Sequence, residues 1–265
     1  EITFSVVADN QTKASNVFCN NNKPESFTVS AFHDGKEYIK DDVITWDSGA
    51  NKWKSTNTRY WPNNGNVTFY AHVNAGAKYK NNATTPTIEN FEVVTDISNQ
   101  VDLMYAKKTQ AKSLDGQVNL NFRHALSQIV FKAKNTNPTL HIEIEGVKVC
   151  NIGNVNTFSY PSNDTDSKYG EHNGDNYTTN YSDGTWGTWE SLPGGNTDYE
   201  VSFAAVEVTS TGVDLTSAND PDKEYSSKAM LLLPQVTTAW NPVTNPTPDA
   251  IVNTGTYFLV KCLIY

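Results

Sequence analysis

The sequence is poor in several of the residue types that most directly indicate a protein's chemistry. Its 265 residues include three cysteines and two methionines, and charged residues make up only 18%. Cys19, Cys150 and Cys262 are too few and too scattered for a disulfide framework or for a zinc site, which needs closely spaced pairs. We therefore expect buried, unpaired thiols, with one disulfide and one free thiol as the alternative.

Basic residues are also in short supply. Lys and Arg total 20 against 29 Asp and Glu, which gives a formal net charge of -9 at pH 7. This balance argues against nucleic acid as a partner, because phosphate binding requires a basic surface. The chain has no run of about 18 apolar residues that would indicate a membrane-spanning helix. It also lacks a basic leader with an apolar core, so we expect any secretion signal to have been removed already.

Catalytic and cofactor motifs are missing as well. None of the five histidines belongs to an H-E-x-x-H pair, and there is no nucleophile elbow, P-loop or dinucleotide-binding glycine fingerprint. We therefore predict no enzyme activity, no cofactor and no metal site.

Two weaker chemical hypotheses stay open. Glu143 and Glu145 share a strand face and could act as a glycosidase pair, although a solvated strand face is the favoured interpretation. An acidic loop could bind calcium, but Lys168 stands where the third oxygen ligand of such a loop belongs. The acidic residues of this loop are Asp164, Asp166, Glu171 and Asp175.

What the sequence does contain is a succession of short β-strand patterns separated by Gly, Pro and Asn turns. At residues 67–73 (VTFYAHV) apolar and polar side chains alternate cleanly. At residues 141–150 the apolar side chains change parity, which predicts a β-bulge near Gly146. Residues 124–133 fit a helix or a strand, and we favour a turn at His124 to Ser127 followed by a strand from about Gln128.

These patterns predict an all-β protein of antiparallel sandwiches, with no helix of ordinary length. We place one β-sandwich at residues 1–110 and a second at residues 111–265, with the boundary in residues 107–116. Strand residues Val118, Leu120 and Phe122 are expected to begin the second half. At the start of the chain, Ile2, Phe4 and Val6 fall on one face of a first strand.

A polar insertion at about residues 161–196 is rich in Asn, Asp, Gly, Tyr and Trp. It offers four aromatic side chains as a candidate ligand-contact loop, because exposed aromatic residues on a loop can stack on sugars or fill a partner's pocket. The alternative is a loop folded back on its own aromatic side chains. The four residues are Tyr177, Tyr181, Trp186 and Trp189.

Several short motifs are spaced over nearly the whole chain. Residues 101–106 (VDLMYA) and 118–129 (VNLNFRHALSQI) form the most specific pair. They are accompanied by EITF with TKA at residues 1–14, by WP with VTFYA at residues 61–71, and by MLLLPQ at residues 230–235. In order and spacing these motifs resemble those of the fimbrillin-like pilus subunits of Bacteroidales.

The resemblance implies two tandem antiparallel Greek-key β-sandwich domains of transthyretin-like type, in a precursor that is lipid-anchored at the cell surface or outer membrane. It implies a structural subunit of a bacterial surface pilus (type V fimbria), or a related cell-surface adhesin. A processing protease would remove the first strand, and a neighbouring pilin subunit would fill the groove by strand exchange, a form of β-augmentation.

Residue by residue, the resemblance makes Ile2, Phe4 and Val6 the groove-filling side chains of the removable strand. Lys13 and Ala14 would be the processing site, although the family usually has Arg where Lys13 stands. Host or bacterial glycans or proteins are further candidate partners. A carbohydrate-binding surface lipoprotein that uses the aromatic loop is the alternative function.

Overall fold

A computed structural model describes residues 1–8, 24–82, 85–165, 186–216, 229–244 and 255–265. These residues are almost entirely β-structure, with 3-10 helices at Gly76–Lys78 and Ile97–Asn99. The predicted all-β class is confirmed. Among the helices of this described part, none is long and apolar enough to cross a membrane.

The strands of the first half build one closed sheet and contribute to a second. They are β1 (Thr3–Ala8), β2 (Ser26–His33), β3 (Lys36–Asp47), β4 (Lys52–Ser55), β5 (Val67–Val73), β6 (Tyr79–Lys80), β7 (Thr87–Glu92), β8 (Met104–Gln110) and β9 (Gln117–His124). A barrel closes in the order β1-β4-β3-β2-β5-β8-β9, with β9 pairing back to β1. The β1–β9 pair is parallel, whereas the other strand pairs of the barrel are antiparallel.

An aromatic-rich core fills this barrel. The predicted alternation in β5 is confirmed on its inner face, where Val67 and Phe69 are fully buried. The opposite face of β5 is also buried, because Tyr70 packs against a second core that includes Tyr79 and Tyr160. Alternation therefore identified the barrel face of this strand but not the cover over its other face.

The second half carries smaller sheets, of two to four strands each, around this second core. Its strands are β10 (Ser127–Ile129), β11 (Lys132–Ala133), β12 (Ile142–Ile152), β13 (Val155–Ser159), β14 (Thr188–Trp189), β15 (Thr197–Glu207), β16 (Val213–Asp214), β17 (Met230–Leu232) and β18 (Tyr257–Ile264). They form the sheets β15-β12-β18, β14-β13-β7-β6, β10-β17 and β11-β16. Because β13 pairs with β7, strands from the two halves share a sheet.

Several local expectations can be compared with these strands. The predicted bulge near Gly146 is confirmed, since the register of β12 shifts between Ile144 and Gly146 against both of its neighbours. The turn before the strand near Gln128 is confirmed by the break between β9 and β10. Two parts of this picture, the domain boundary near residue 110 and the tandem Greek-key arrangement, stay predictions.

Val118, Leu120 and Phe122, which are expected to begin the second half, lie on a strand that pairs within the barrel. All three side chains lie in the barrel core, and β9 pairs with β1 and β8. The physical reason is that alternation shows which side chains are buried but carries no information about which distant strand provides the hydrogen bonds.

Burial makes His72 on β5 a source of pH-dependent stability. Its side chain is only 4% exposed, its Nδ1 has no hydrogen-bond partner, and its ring lies 4.9 Å from that of Tyr79. Burial lowers the pKa of His72 from 6.5 to about 4, while the charge of Asp41 acts in the opposite direction. The unfolded chain therefore takes up a proton below pH 6.5 that the folded chain refuses until about pH 4.

We expect the free energy of unfolding to fall on acidification because of this difference. Between about pH 7 and about pH 4.5 the wild type should lose about 2 kcal/mol more than a His72→Phe variant. Urea unfolding at the two pH values measures this, with His33→Phe, at a more exposed position, as the matched control. Parallel pH profiles for the wild type and His72→Phe would contradict the prediction.

Candidate functional site

The first strand occupies a special place in the barrel. Along β1 every residue pairs with β9, from Thr3 opposite Gln117 to Ala8 opposite Phe122, but on its other side only Phe4 pairs with β4, opposite Trp53. The barrel thus closes through β1, since β4 and β9 each pair with it and not with each other. Without β1, both of these strands would become open edges with unpaired backbone groups.

Two apolar side chains anchor β1 in the barrel. Ile2 and Phe4 are each 2% exposed, and Val6 is partly buried against the same core. The ring of Phe4 meets Phe27 and Phe69 edge to face, at 6.0 Å and 5.9 Å between centroids. Burying side chains of this size contributes about 1.5–3 kcal/mol each. Because domains are stable by only about 5–15 kcal/mol, loss of β1 would remove a large fraction of the stability.

Backbone carbonyls hold the start of β1. The Ile2 amide donates to the Arg59 carbonyl at 2.7 Å, and the Thr3 amide donates to the Gly116 carbonyl at 3.3 Å. The indole Nε1 of Trp61 donates to the same Gly116 oxygen at 3.0 Å. Gly116 has a φ of +74°, and a Cβ there would clash with the carbonyl oxygen of Glu1. The turn at Gly116 therefore lies directly against the first residue of the chain.

An ion pair with a buried carboxylate fixes the segment that carries Arg59. The Asp42 carboxylate, itself buried, accepts from Arg59 Nε at 2.6 Å and from Nη2 at 2.7 Å, and it also accepts from the Ser55 hydroxyl at 3.0 Å. This bidentate geometry restricts the guanidinium to one orientation. The Arg59 carbonyl is consequently held in place to receive the Ile2 amide.

One polar group on β1 is poorly accommodated. The Thr3 side chain is 4% exposed, and its Oγ1 has no hydrogen-bond partner. A buried hydroxyl without a partner costs about 1–3 kcal/mol. The strand therefore combines strong apolar anchoring with a local destabilising feature.

The structure describes only part of the predicted site residues. Lys13 and Ala14, and likewise Tyr177 and Tyr181, lie outside the described residues. The placement of Ile2, Phe4 and Val6 on the core face is as expected, and their removal from the chain stays a prediction.

The two described tryptophans of the insertion pack against the protein. Trp189 Nε1 donates to the Ala125 carbonyl at 2.8 Å, and its ring lies 5.2 Å from that of Phe158. The ring of Trp186 lies 4.4 Å from the guanidinium carbon of the buried Arg123. These contacts anchor the end of the insertion to the core, and a ligand-contact role for Trp186 and Trp189 stays a prediction.

The glutamates of the weaker glycosidase hypothesis each contact a neighbouring side chain. Glu145 lies 2.8 Å from Lys261 Nζ, and Glu143 lies 3.3 Å from His141 Nε2. The candidate calcium ligand Asp164 instead accepts from the Thr109 amide at 2.9 Å. In the described part of the chain, no group of three or more His, Cys, Asp or Glu residues could hold a metal ion.

The cysteines follow the expectation only in part. Cys150 and Cys262 are both free thiols; Cys150 is buried and Cys262 is exposed, while Cys19 lies outside the described residues. Burial raises the pKa of the Cys150 thiol. The expectation that Cys262 is buried is wrong, because β18 is an edge strand whose side chains are largely exposed.

Sequence reasoning missed the residues that hold the start of β1. Arg59, Trp61 and Gly116 act through backbone carbonyls or an indole N–H, which no side-chain motif reveals. The Asp115-Gly116 pair was an available signal, since such pairs favour turns with positive φ. It marks a turn but not the strand that the turn contacts.

The chain shows similarity to one protein family and to several solved structures. The family model described as fimbrillin-like matches residues 8–252. A provisionally named cell adhesion protein from Bacteroides uniformis has 13% identity and a TM-score of 0.39, covering 99% of this chain and 96% of that one. A fimbrial protein from Bacteroides ovatus has 14% identity and a TM-score of 0.29, covering 63% of this chain and 45% of that one. None of the curated proteins matches the chain.

The close approach at Gly116 generates a prediction about the start of β1. We expect Gly116→Ala to speed hydrogen exchange at the Ile2 and Thr3 amides, because the new Cβ displaces Glu1. Gly35→Ala is the matched control, since Gly35 has a similar φ of +70° but nothing within 4 Å of an added Cβ. Equal protection of the two amides in both variants, measured by NMR, would contradict the proposed contact.

The unpartnered hydroxyl of Thr3 generates a second prediction. Thr3→Val keeps the shape of the side chain and removes the unsatisfied oxygen, so the free energy of unfolding should rise by about 1 kcal/mol. In the control Thr68→Val the lost hydroxyl has a partner, Thr109 Oγ1 at 3.0 Å, so this variant should lose stability. Urea unfolding measures both changes, and a destabilised Thr3→Val protein would show that the hydroxyl is satisfied in solution.

Proposed function

The chain belongs to the fimbrillin-like family, and from this membership we propose that it is a structural subunit of a bacterial surface pilus or a related cell-surface adhesin. Its partners are neighbouring subunits, and its role is assembly and adhesion rather than catalysis. The proposed location is the cell surface, reached by a lipid-anchored precursor. Assembly occurs by exchange of the first strand after a protease cuts behind it.

The observation that carries this proposal is the closure of the barrel by β1. The strand contributes core side chains, yet it pairs with β4 at one residue and with β9 in parallel. Parallel pairing is slightly less stable per residue than antiparallel pairing. Removal of β1 would leave an apolar groove lined by Phe27, Phe69 and Phe122, flanked by two open strand edges.

Such a groove favours an incoming strand of defined pattern. Backbone hydrogen bonds to β4 and β9 would provide affinity, and the pockets left by Ile2 and Phe4 would set the register of alternating side chains. A one-residue shift would direct polar side chains into the core. A strand with apolar residues at every second position is therefore the required partner.

The last strand of the same chain has the exposure expected of a strand available for pairing. Among the described strands it pairs with β12 alone, at the edge of the sheet β15-β12-β18, and its side chains are exposed on both faces, with Phe258 at 64%. Phe258, Val260, Cys262 and Ile264 occupy every second position along it. We propose β18 as the strand that a subunit offers to its neighbour.

A strand-replacement experiment tests the assembly mechanism. A protease site inserted between β1 and β2 allows residues 1–8 to be cut and then displaced in mild denaturant. The stripped protein should associate with itself in proportion to concentration and should bind a labelled peptide of residues 1–8. Light scattering, electron microscopy and fluorescence anisotropy measure these outcomes.

Peptide variants make the test specific. A Phe4→Ser peptide should bind about 100-fold more weakly, because it leaves the aromatic pocket empty. A Ser5→Ala peptide, altered at a partly exposed position, is the matched control and should bind like the original. A stripped chain that stays monomeric and binds neither the original peptide nor the control would contradict strand exchange.

A further inference from the structure

A polar cleft lies away from the barrel, where four segments of the second half converge. Its volume is about 510 Å³. Its walls come from the corner between β12 and β13 (151–153), the end of the insertion (193–196), the segment after β17 (235–238) and the start of β18 (255–256). This volume falls within the range of about 300–1,000 Å³ typical of small-molecule sites.

The lining of the cleft is hydrogen-bonding but uncharged. Amide side chains come from Asn151, Asn196 and Gln235, and hydroxyls come from threonines; among the described residues that line the cleft, none is acidic, basic or a histidine. Amides and hydroxyls can both donate and accept hydrogen bonds. Such a set matches the hydroxyl groups of a neutral polyol and offers no counter-ion to a charged ligand.

Internal hydrogen bonds hold the walls in place. Gln235 Nε2 donates to the Gly153 carbonyl at 2.8 Å, and the Gly153 amide donates to Gln235 Oε1 at 3.0 Å. Across the cleft, Asn151 Nδ2 donates to the Gly255 carbonyl at 2.9 Å. At Gly153 an added Cβ would lie 2.6 Å from Pro193, so the glycine allows the close approach of two walls. A site with fixed walls loses less entropy on binding a ligand.

Two hydroxyls of the cleft are available to a ligand. Thr237 and Thr238 are exposed, and within the described residues their side chains make no hydrogen bond. Beside them the Trp240 amide donates to the Thr256 carbonyl at 3.1 Å, and the Trp240 ring lies 6.0 Å from that of Tyr257. Aromatic side chains next to polar groups suit the mixed apolar and hydroxylated surface of a sugar ring.

We propose that this cleft is a binding site for a neutral saccharide. The site is separate from the barrel groove, and it uses none of the four aromatic residues predicted as a ligand-contact loop. Thr237 and Thr238 provide hydrogen bonds to sugar hydroxyls, and the Gln235 and Asn151 networks keep the opposite walls in place. The proposal concerns the unassembled chain, in which β18 pairs with β12 and the residues before it form one wall of the cleft.

Saturation-transfer NMR tests the proposal on the full chain. The probes are glucose, galactose, mannose and N-acetylglucosamine, with glucuronic acid and sialic acid as charged comparators. A Thr237→Val/Thr238→Val double variant should weaken binding of the neutral sugar about tenfold, since two hydrogen bonds to the ligand are lost. The matched control is Thr56→Val/Thr58→Val, which changes two exposed threonines of the barrel.

Each outcome of this experiment either supports the proposed site or overturns it. Binding of at least one neutral sugar that is reduced in the cleft variant and kept in the control supports the site. Thermal unfolding of both variants checks that the fold is retained. No binding of any neutral sugar, equal binding by the cleft variant, or equally strong binding of the charged sugars would overturn the proposal.

Discussion

The closure of the barrel by β1 is the constraint on which the rest of the first half depends. A sheet of six strands ending in β4 and β9 would expose two rows of unpaired backbone groups and a ring cluster around Phe27. The first strand pairs with β9 along its length and with β4 at Phe4, and Ile2 and Phe4 are added to that cluster. Hydrogen bonds to β9 and β4 and the packing of Ile2 and Phe4 in the core hold β1 in this closing position.

Those contacts divide into a strong apolar part and a weak polar part. The rings around Phe4 and the buried Ile2 bind the strand through area removed from water, which depends little on direction. Its backbone is held less evenly, by parallel bonds to β9 and by one residue pair with β4, and the Thr3 hydroxyl is buried without a partner. A strand from another chain with the same apolar spacing could match the apolar contacts of β1. It could also pair more completely and avoid the unpartnered hydroxyl. This balance is what the proposed exchange of β1 would require.

The sequence predicted local features well and long-range pairing poorly. The alternation of β5, the bulge at Gly146 and the turn before β10 each depend on residues close together in the chain, so a short window contains the signal. The partner of β9 is β1, at the other end of the first half, and no local pattern encodes that choice. The hydrogen bonds accepted by the carbonyls of Arg59 and Gly116 could not be predicted either, since every residue has a carbonyl. The polar cleft escaped notice because four distant segments form it.

The exposed last strand raises the question of how the chain tolerates it. An open apolar edge is an aggregation hazard, which proteins usually reduce with charges or a covering element. On β18 the main such device is Lys261, and its ion pair with Glu145 lies on the face opposite Phe258, Val260 and Ile264. On the other face the Phe131 ring lies 6.0 Å from that of Phe258, and Phe258 is still 64% exposed. Burial of this apolar face against a neighbouring subunit, as in the proposed assembly, would remove the hazard.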